Sequence, residues 1–252
     1  MPLTKITFTG VDNNTDLKKL NKLSNDYPFI EWGVLFSRSK QGIDPRYPDL
    51  YTISDFMNLE KITKSAHLCG AWVKNLINSE YSNLVSPYAI YTLFGPFQRY
   101  QLNISGGLKD FNGDVFNQYS CALNKMSYLN PNSLNGFQEK PHYIIQSKTF
   151  DLDLKNKCEL VPLHLIDVLL DCSGGVGKEL NVVAPPGNFS YTPGFAGGIN
   201  PENVENILEK IEALKIKQNY WIDMESGVRT DNWLDLDKCE AIVKIAKRFV
   251  KK

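Results

Sequence analysis

Phe195-Ala196-Gly197-Gly198-Ile199-Asn200-Pro201-Glu202-Asn203 runs from a short β-forming stretch, through two glycines, into the start of a helix. Glycines let a backbone come close to a ligand, and amide N–H groups at a helix start, which lack partners inside the helix, attract an anion. Asn200 reads as the N-cap and Pro201 as the first helical residue, because the N–H that proline lacks would be unpaired there. Beyond them Val204, Ile207, Leu208, Ile211 and Leu214 recur at i, i+3, i+4 and i+7. That spacing puts one apolar stripe against a packed layer. A strand feeding such a helix is the repeating piece of a parallel sheet with helices outside it.

The same alternation extends over the whole chain. Strands are expected at Lys5–Thr9, Ile30–Phe36, Ser65–Cys69, Tyr100–Ile104, Tyr143–Ser147, Val168–Asp171, Thr192–Ala196 and Trp221–Met224. Leu17, Leu20 and Leu23 mark a first helix after Thr15 and Asp16. Cys239, Ile242, Val243, Ala246 and Phe249 mark a last one. Eight strands in 252 residues suit an α/β fold closed as a (β/α)8 barrel, one domain over residues 1–252. An open doubly wound sheet is the alternative. Two connections are longer than a plain barrel needs. One, from Cys69 to Tyr100, reads as helical with an aromatic run from Tyr88 onward. The other, from Gly106 to Pro141, holds a helix around Val115–Met126. The aromatic run is open to three readings: core packing, a lid, or the surface of a homodimer.

Composition excludes several function classes. Lysine and arginine total 28 and so do aspartate and glutamate, which gives no reason to expect nucleic acid or an anionic membrane as partner. The five cysteines are scattered and never spaced as CxxC, so neither a disulfide framework nor a zinc knuckle is indicated, and a reducing cytoplasm fits. MPLTKITFTG has no apolar core of a secretory signal. The most apolar stretch, Val161 to Leu170, contains His164 and Asp167 and is too short to span a bilayer.

Alternate strand residues point into a barrel, and function gathers at the carboxyl ends. There the chain places polar residues two apart: Thr7 and Thr9, His67 and Cys69, Gln101 and Asn103, Gln146 and Lys148, Asp171 and Ser173, Asp223 and Glu225. A polar plug in the barrel core would leave the same pattern. Glu225-Ser226-Gly227-Val228 after the last strand is a second candidate anion site, since barrels commonly hold phosphate with the loops after strands seven and eight. Lys148 raises a Schiff-base reading, though a lysine at a loop start is more often a surface group. Asp151, Asp153 and Asp167 read as solvated or capping groups. His142 and His164 have no metal-ligand spacing.

Several segments carry a resemblance. Gly194–Val204, containing GGINPENV, resembles the GGLNPENV segment of phosphoribosylanthranilate isomerases. Ile222-Asp223-Met224-Glu225-Ser226-Gly227-Val228 is similar to that family's VDVSSGV. Val168-Leu169-Leu170-Asp171, followed by Gly174, Gly175, Gly177 and Lys178, resembles its LLD strand and glycine-rich loop. Phe8-Thr9-Gly10-Val11 falls where the family has ICGI, and His67-Leu68-Cys69-Gly70 where it has QLHG. The resemblance implies an Amadori rearrangement, in which the ring of a phosphoribosyl amine opens and a proton leaves C2 of the sugar. That chemistry needs no metal or organic cofactor. It needs an acid at the ring oxygen, a base near C2 and a grip on the phosphate.

Asp171 stands at the position of the acid. The family's basic cysteine aligns with Thr9, whose hydroxyl needs an activating partner to act as a base. Cys69, with His67 beside it, is a substitute, since a thiolate next to histidine is a reasonable base. Glu31 and Asp12 are weaker candidates. Gly197, Gly198, Asn200, Ser226, Gly227 and Asp223 are expected around the ligand. The family's Ser-Lys-Arg run reads Ser39-Lys40-Gln41, which leaves Arg46 or Arg38 to supply the arginine. Glu225 replaces a serine. A carboxylate about 4 Å from a phosphate charge costs about 4 kcal/mol at an effective dielectric near 20, so Glu225 either turns away to Arg229 or the anion is held differently. The expectation is an isomerase of a small phosphorylated sugar or sugar-amine. The alternative is a non-catalytic ligand-binding barrel that has lost the base.

Overall fold

The computed structural model describes residues 2–77, 97–103, 115–129, 141–147, 162–171, 182–185 and 191–250. In chain order these form β1 (Leu3–Thr9), α1 (Leu17–Asp26), β2 (Ile30–Ser37), α2 (Leu50–Met57), β3 (Thr63–Cys69), α3 (Ala71–Ile77), β4 (Arg99–Asn103) and α4 (Val115–Leu129). There follow β5 (His142–Ser147), β6 (Ile166–Asp171), β7 (Thr192–Ala196), α5 (Val204–Ala213), β8 (Tyr220–Met224), the two-residue strands β9 (Arg229–Thr230) and β10 (Trp233–Leu234), and α6 (Leu236–Ala246). Strands β1 to β8 close in sequence order into one barrel, every adjacent pair parallel, with β8 returning to β1. Closure, not an open sheet, is the outcome. No helix among the described residues is long and apolar enough to cross a membrane.

Strand parity explains the layers. Ile6 and Phe8 of β1, Trp32, Val34 and Phe36 of β2 and Tyr100 and Leu102 of β4 face outward into the core beneath the helices. Stripes from α5 (Val204, Ile207, Leu208, Ile211) and α6 (Cys239, Ile242, Val243, Ala246) complete that core. The opposite parity points inward and is polar in most positions, including Thr7, Glu31, Ser65, His67, Arg99, Gln101, Asp167 and Asp223, all buried. Inside the barrel the apolar group is small: Ile144, Leu169 and Trp221.

Caps fix where the helices start. Asp16 accepts from the amides of Lys18 and Lys19, Asp49 from Thr52, and Asp235 from Asp237 and Lys238. Before α5 the Asn200 carboxamide oxygen accepts from the amides of Glu202 and Asn203 as expected of a cap. Yet Pro201–Asn203 forms a turn, and the regular helix begins only at Val204. Phe249 packs against the core from beyond the end of α6.

The lower half of the barrel corrects the reading of Asp167 as a solvated or capping group. Its side chain is buried and takes Arg99 Nη1 at 3.0 Å and His142 Nδ1 at 3.4 Å. Arg99 also binds both oxygens of Glu31, at 2.6 to 3.0 Å, and stacks on the Trp221 ring, 3.9 Å from its centroid. Burial opposes ionisation of Glu31, but Arg99 and Lys5 outweigh it and hold its carboxyl far below the ordinary range. Glu31 is thereby a fixed anion in an ion cluster, and a poor base. Asp12 is likewise structural: it accepts from Arg229 Nη1 (3.1 Å) and from the Leu234 amide (2.6 Å). Arg229 also donates to the Gly10 carbonyl, at a glycine with φ +107 where a Cβ would lie 1.9 Å from the guanidinium.

Candidate active site

At the carboxyl ends of the strands lies a cavity of about 320 Å³. Its walls include Thr9, His67, Gln101, Asn103, Gln146, Asp171, Asp223 and Glu225 from the strand ends, Arg46 from the β2–α2 loop, and both candidate anion loops, Gly197–Ile199 and Ser226–Gly227. The two loops touch. A Cβ on Gly227 would sit 1.9 Å from the Ile199 carbonyl oxygen, so only glycine permits that approach. Asp171 and Asp223 stand on one rung, each in register with Ala196 between them. With strands about 4.8 Å apart, their backbones are about 10 Å apart across β7, and both side chains point inward. Asp171 Oδ2 accepts from Gln146 Nε2 at 2.6 Å.

Thr9 has partners that lie far from it in the chain. Its hydroxyl donates to Asp223 Oδ1 at 3.0 Å and lies 3.4 Å from His67 Nε2, which in turn lies 3.1 Å from Ser65 Oγ. Gly33 leaves the room: a Cβ there would come within 2.8 Å of His67 Nε2 and 2.9 Å of Thr9 Oγ1. Burial raises the Asp223 carboxyl to about 8, against the lowering effects of the Thr9 bond and Arg99; Glu31 and Glu225 push it further up. Its Oδ2 is buried and has no hydrogen-bond partner among the described residues. Burial lowers His67 to about 4, so the imidazole is neutral at physiological pH.

Other expected residues fall differently. Cys69 points inward at the top of β3, but it is absent from the described cavity wall. Burial pushes its thiol up to about 12, the reverse of what a thiolate base requires. Glu225 does not pair with Arg229. It accepts from Arg46 Nη1 at 3.2 Å, while Arg229 turns to Asp12 and Gly10. Burial raises the Glu225 pKa, opposed by Arg46 and Arg229. Asn200 sits behind the glycine loop, where its side chain caps the turn before α5. Lys148, Ser173, the glycines and Lys178 of the β6 loop, and the aromatic run up to residue 96 lie outside the described residues. Sequence reasoning missed Arg99 and the Thr9–Asp223 bond. Parity was the available signal, since Arg99 lies two residues before Gln101 and Thr9 faces the same interior as Asp223.

The class is therefore a closed (β/α)8 barrel with a polar cavity at the carboxyl face, into which three strand-end carboxyls and two glycine-containing loops converge. A sequence profile of the N-(5'phosphoribosyl)anthranilate (PRA) isomerase family matches residues 138–245. The N-(5'-phosphoribosyl)anthranilate isomerase of Desulfitobacterium hafniense is 30% identical over 103 residues, 36% of this chain and 41% of that protein. The chain thus spans about two fifths of the length of that relative. The Thermoanaerobacter pseudethanolicus isomerase is 22% identical over 246 residues, 96% of this chain and 97% of its own length. Among solved structures, the phosphoribosyl anthranilate isomerase of Thermus thermophilus superposes with a TM-score of 0.53 at 13% identity, covering 97% of this chain and 98% of that one. The Pyrococcus furiosus enzyme gives 0.53 at 17% identity, with 97% and 99% covered. The structural likeness shows the fold. The chain is a (β/α)8 barrel similar in fold, and in the sequence of residues 138–245, to the phosphoribosylanthranilate isomerases.

Proposed function

We propose that this protein is an isomerase of a small phosphorylated sugar or sugar-amine, acting by proton transfer between neighbouring sugar atoms. One observation carries the reading: Asp171, the Thr9–Asp223 couple and both glycine loops face the same cavity. Asp171 donates a proton to the ring oxygen, the C1–O bond breaks, and the nitrogen lone pair completes an iminium at C1. The base then takes the proton from C2, and the C2–H electrons form the enolamine. Reprotonation at C1, with loss of the O2 proton, gives the ketose amine.

Thr9 and Asp223 together form the base in this reading. The Thr9 hydroxyl lines the cavity and passes its proton to Asp223 Oδ1 as it accepts one from C2. The activating partner that a threonine requires is in place. The neutral His67 ring holds the hydroxyl from the other side. The anionic group of the substrate rests on the Gly197–Gly198 and Ser226–Gly227 backbone, with Arg46 beside it. Phosphoribosylanthranilate is the first substrate to test, by loss of its fluorescence at pH 8.5. Turnover by the wild type, reduced about a hundredfold or more in Asp171→Asn, supports the reading. Equal rates in both proteins would remove Asp171 from the chemistry.

A further inference from the structure

Arg46 belongs to the loop between β2 and α2, yet its guanidinium is held from the opposite side of the cavity mouth. Nη1 donates to Glu225 at 3.2 Å and Nε donates to Asn232 Oδ1 at 3.1 Å. Asn232 follows Asp231 in the two-residue turn between β9 and β10, and the two have φ +67 and +50. A two-residue hairpin turn favours positive φ at both of its residues, and aspartate and asparagine tolerate that region best after glycine. The turn is also anchored. The Asn232 carbonyl accepts from Arg229 Nη1 at 2.7 Å, and Arg229 is itself anchored on Asp12. Asn232 thus ties the hairpin to Arg229 through its backbone and grips Arg46 through its side chain.

Glu225 comes directly after β8 and lines the cavity beside Ser226 and Gly227. An anion on the amides of that loop would lie close to its carboxylate, and both would compete for the same guanidinium. We propose that Glu225 is a resident counter-ion of Arg46 that the phosphate of the ligand replaces. Asn232 keeps the guanidinium in position during the exchange. Arg46 and Glu225 are then the pair that sets how strongly the mouth accepts a phosphomonoester, and Asn232 is a positioning residue. The inference rests on the anion-binding reading given above.

Calorimetric titration of the intact protein with inorganic phosphate tests it, with thermal unfolding as a control for folding. Glu225→Gln keeps the shape and removes the competing charge, and is expected to bind phosphate at least about tenfold more tightly than the wild type. Arg46→Met is expected to lose about tenfold or more, and Asn232→Ala a smaller factor in the same direction. A folded Glu225→Gln protein that binds phosphate no more tightly than a binding-competent wild type overturns the exchange alone. Failure of both to bind phosphate at millimolar concentration overturns the anion-binding reading and the exchange with it.

Discussion

Asp223 gives Thr9 what a lone hydroxyl lacks, a nearby acceptor for its proton, and the two are 214 positions apart in the chain. Replacing Thr9 by valine keeps the shape and removes the relay; turnover is expected to fall by about a hundredfold or more with little change in KM. An unchanged kcat in steady-state assays would assign the base elsewhere. Gly227→Ala tests the anion site on the same scale. Its added methyl meets the Ile199 carbonyl at 1.9 Å, so the two loops must part. Phosphate affinity is expected to drop by about tenfold, roughly 1.4 kcal/mol, measured by calorimetry. Retained affinity would place the anion away from these loops.

The eight strands were legible because outward apolar residues alternate with inward polar ones, and the glycine-to-helix passage after β7 fixed their polarity. The candidate site was legible only in part. Asp171, Gly197, Gly198, Ser226 and Gly227 announce themselves through local motifs. Arg99 does not: it stands at the very start of β4, next to Gln98, where a strand edge and a loop look alike. Its ties to Glu31 and Asp167 each span 68 positions and leave no local trace. For the same reason Asp167 read as a surface group. This cluster joins β2, β4 and β6 through the barrel interior, beside a second cavity of about 340 Å³ at the amino-terminal mouth. Arg99→Met would leave two buried carboxylates without their main counter-ion. A loss of about 3–5 kcal/mol in urea unfolding is expected, and a loss below about 1 kcal/mol would show that the cluster is not holding the strands together.

Proton linkage makes the interior visible in the stability of the whole molecule. The carboxyl of Asp223 has a folded value of about 8 against an ordinary 3.8, so the unfolded chain releases this proton first and the native state loses stability as pH rises between those values. His67 acts oppositely: lowered to about 4 from 6.5, it makes the unfolded chain the better proton binder, and stability gains between those values. The two nearly cancel from about pH 4 to 6.5, leaving a decline from there to about pH 8. Asp223→Asn should remove the part of that decline due to Asp223, gaining about 5 kcal/mol on the wild type between pH 4 and 8, as read from urea midpoints. Parallel curves would mean that Asp223 is ionised in the folded barrel. In the proposed mechanism the same group ties stability to chemistry, because a buried carboxyl that resists ionisation is also a strong base once ionised. The most direct test is the pH dependence of kcat/KM for phosphoribosylanthranilate, which reports the free protein. A rise through about pH 8 is expected in the wild type and should be missing in Asp223→Asn. A wild-type profile with no inflection near that value, or one shared by the variant, would contradict it.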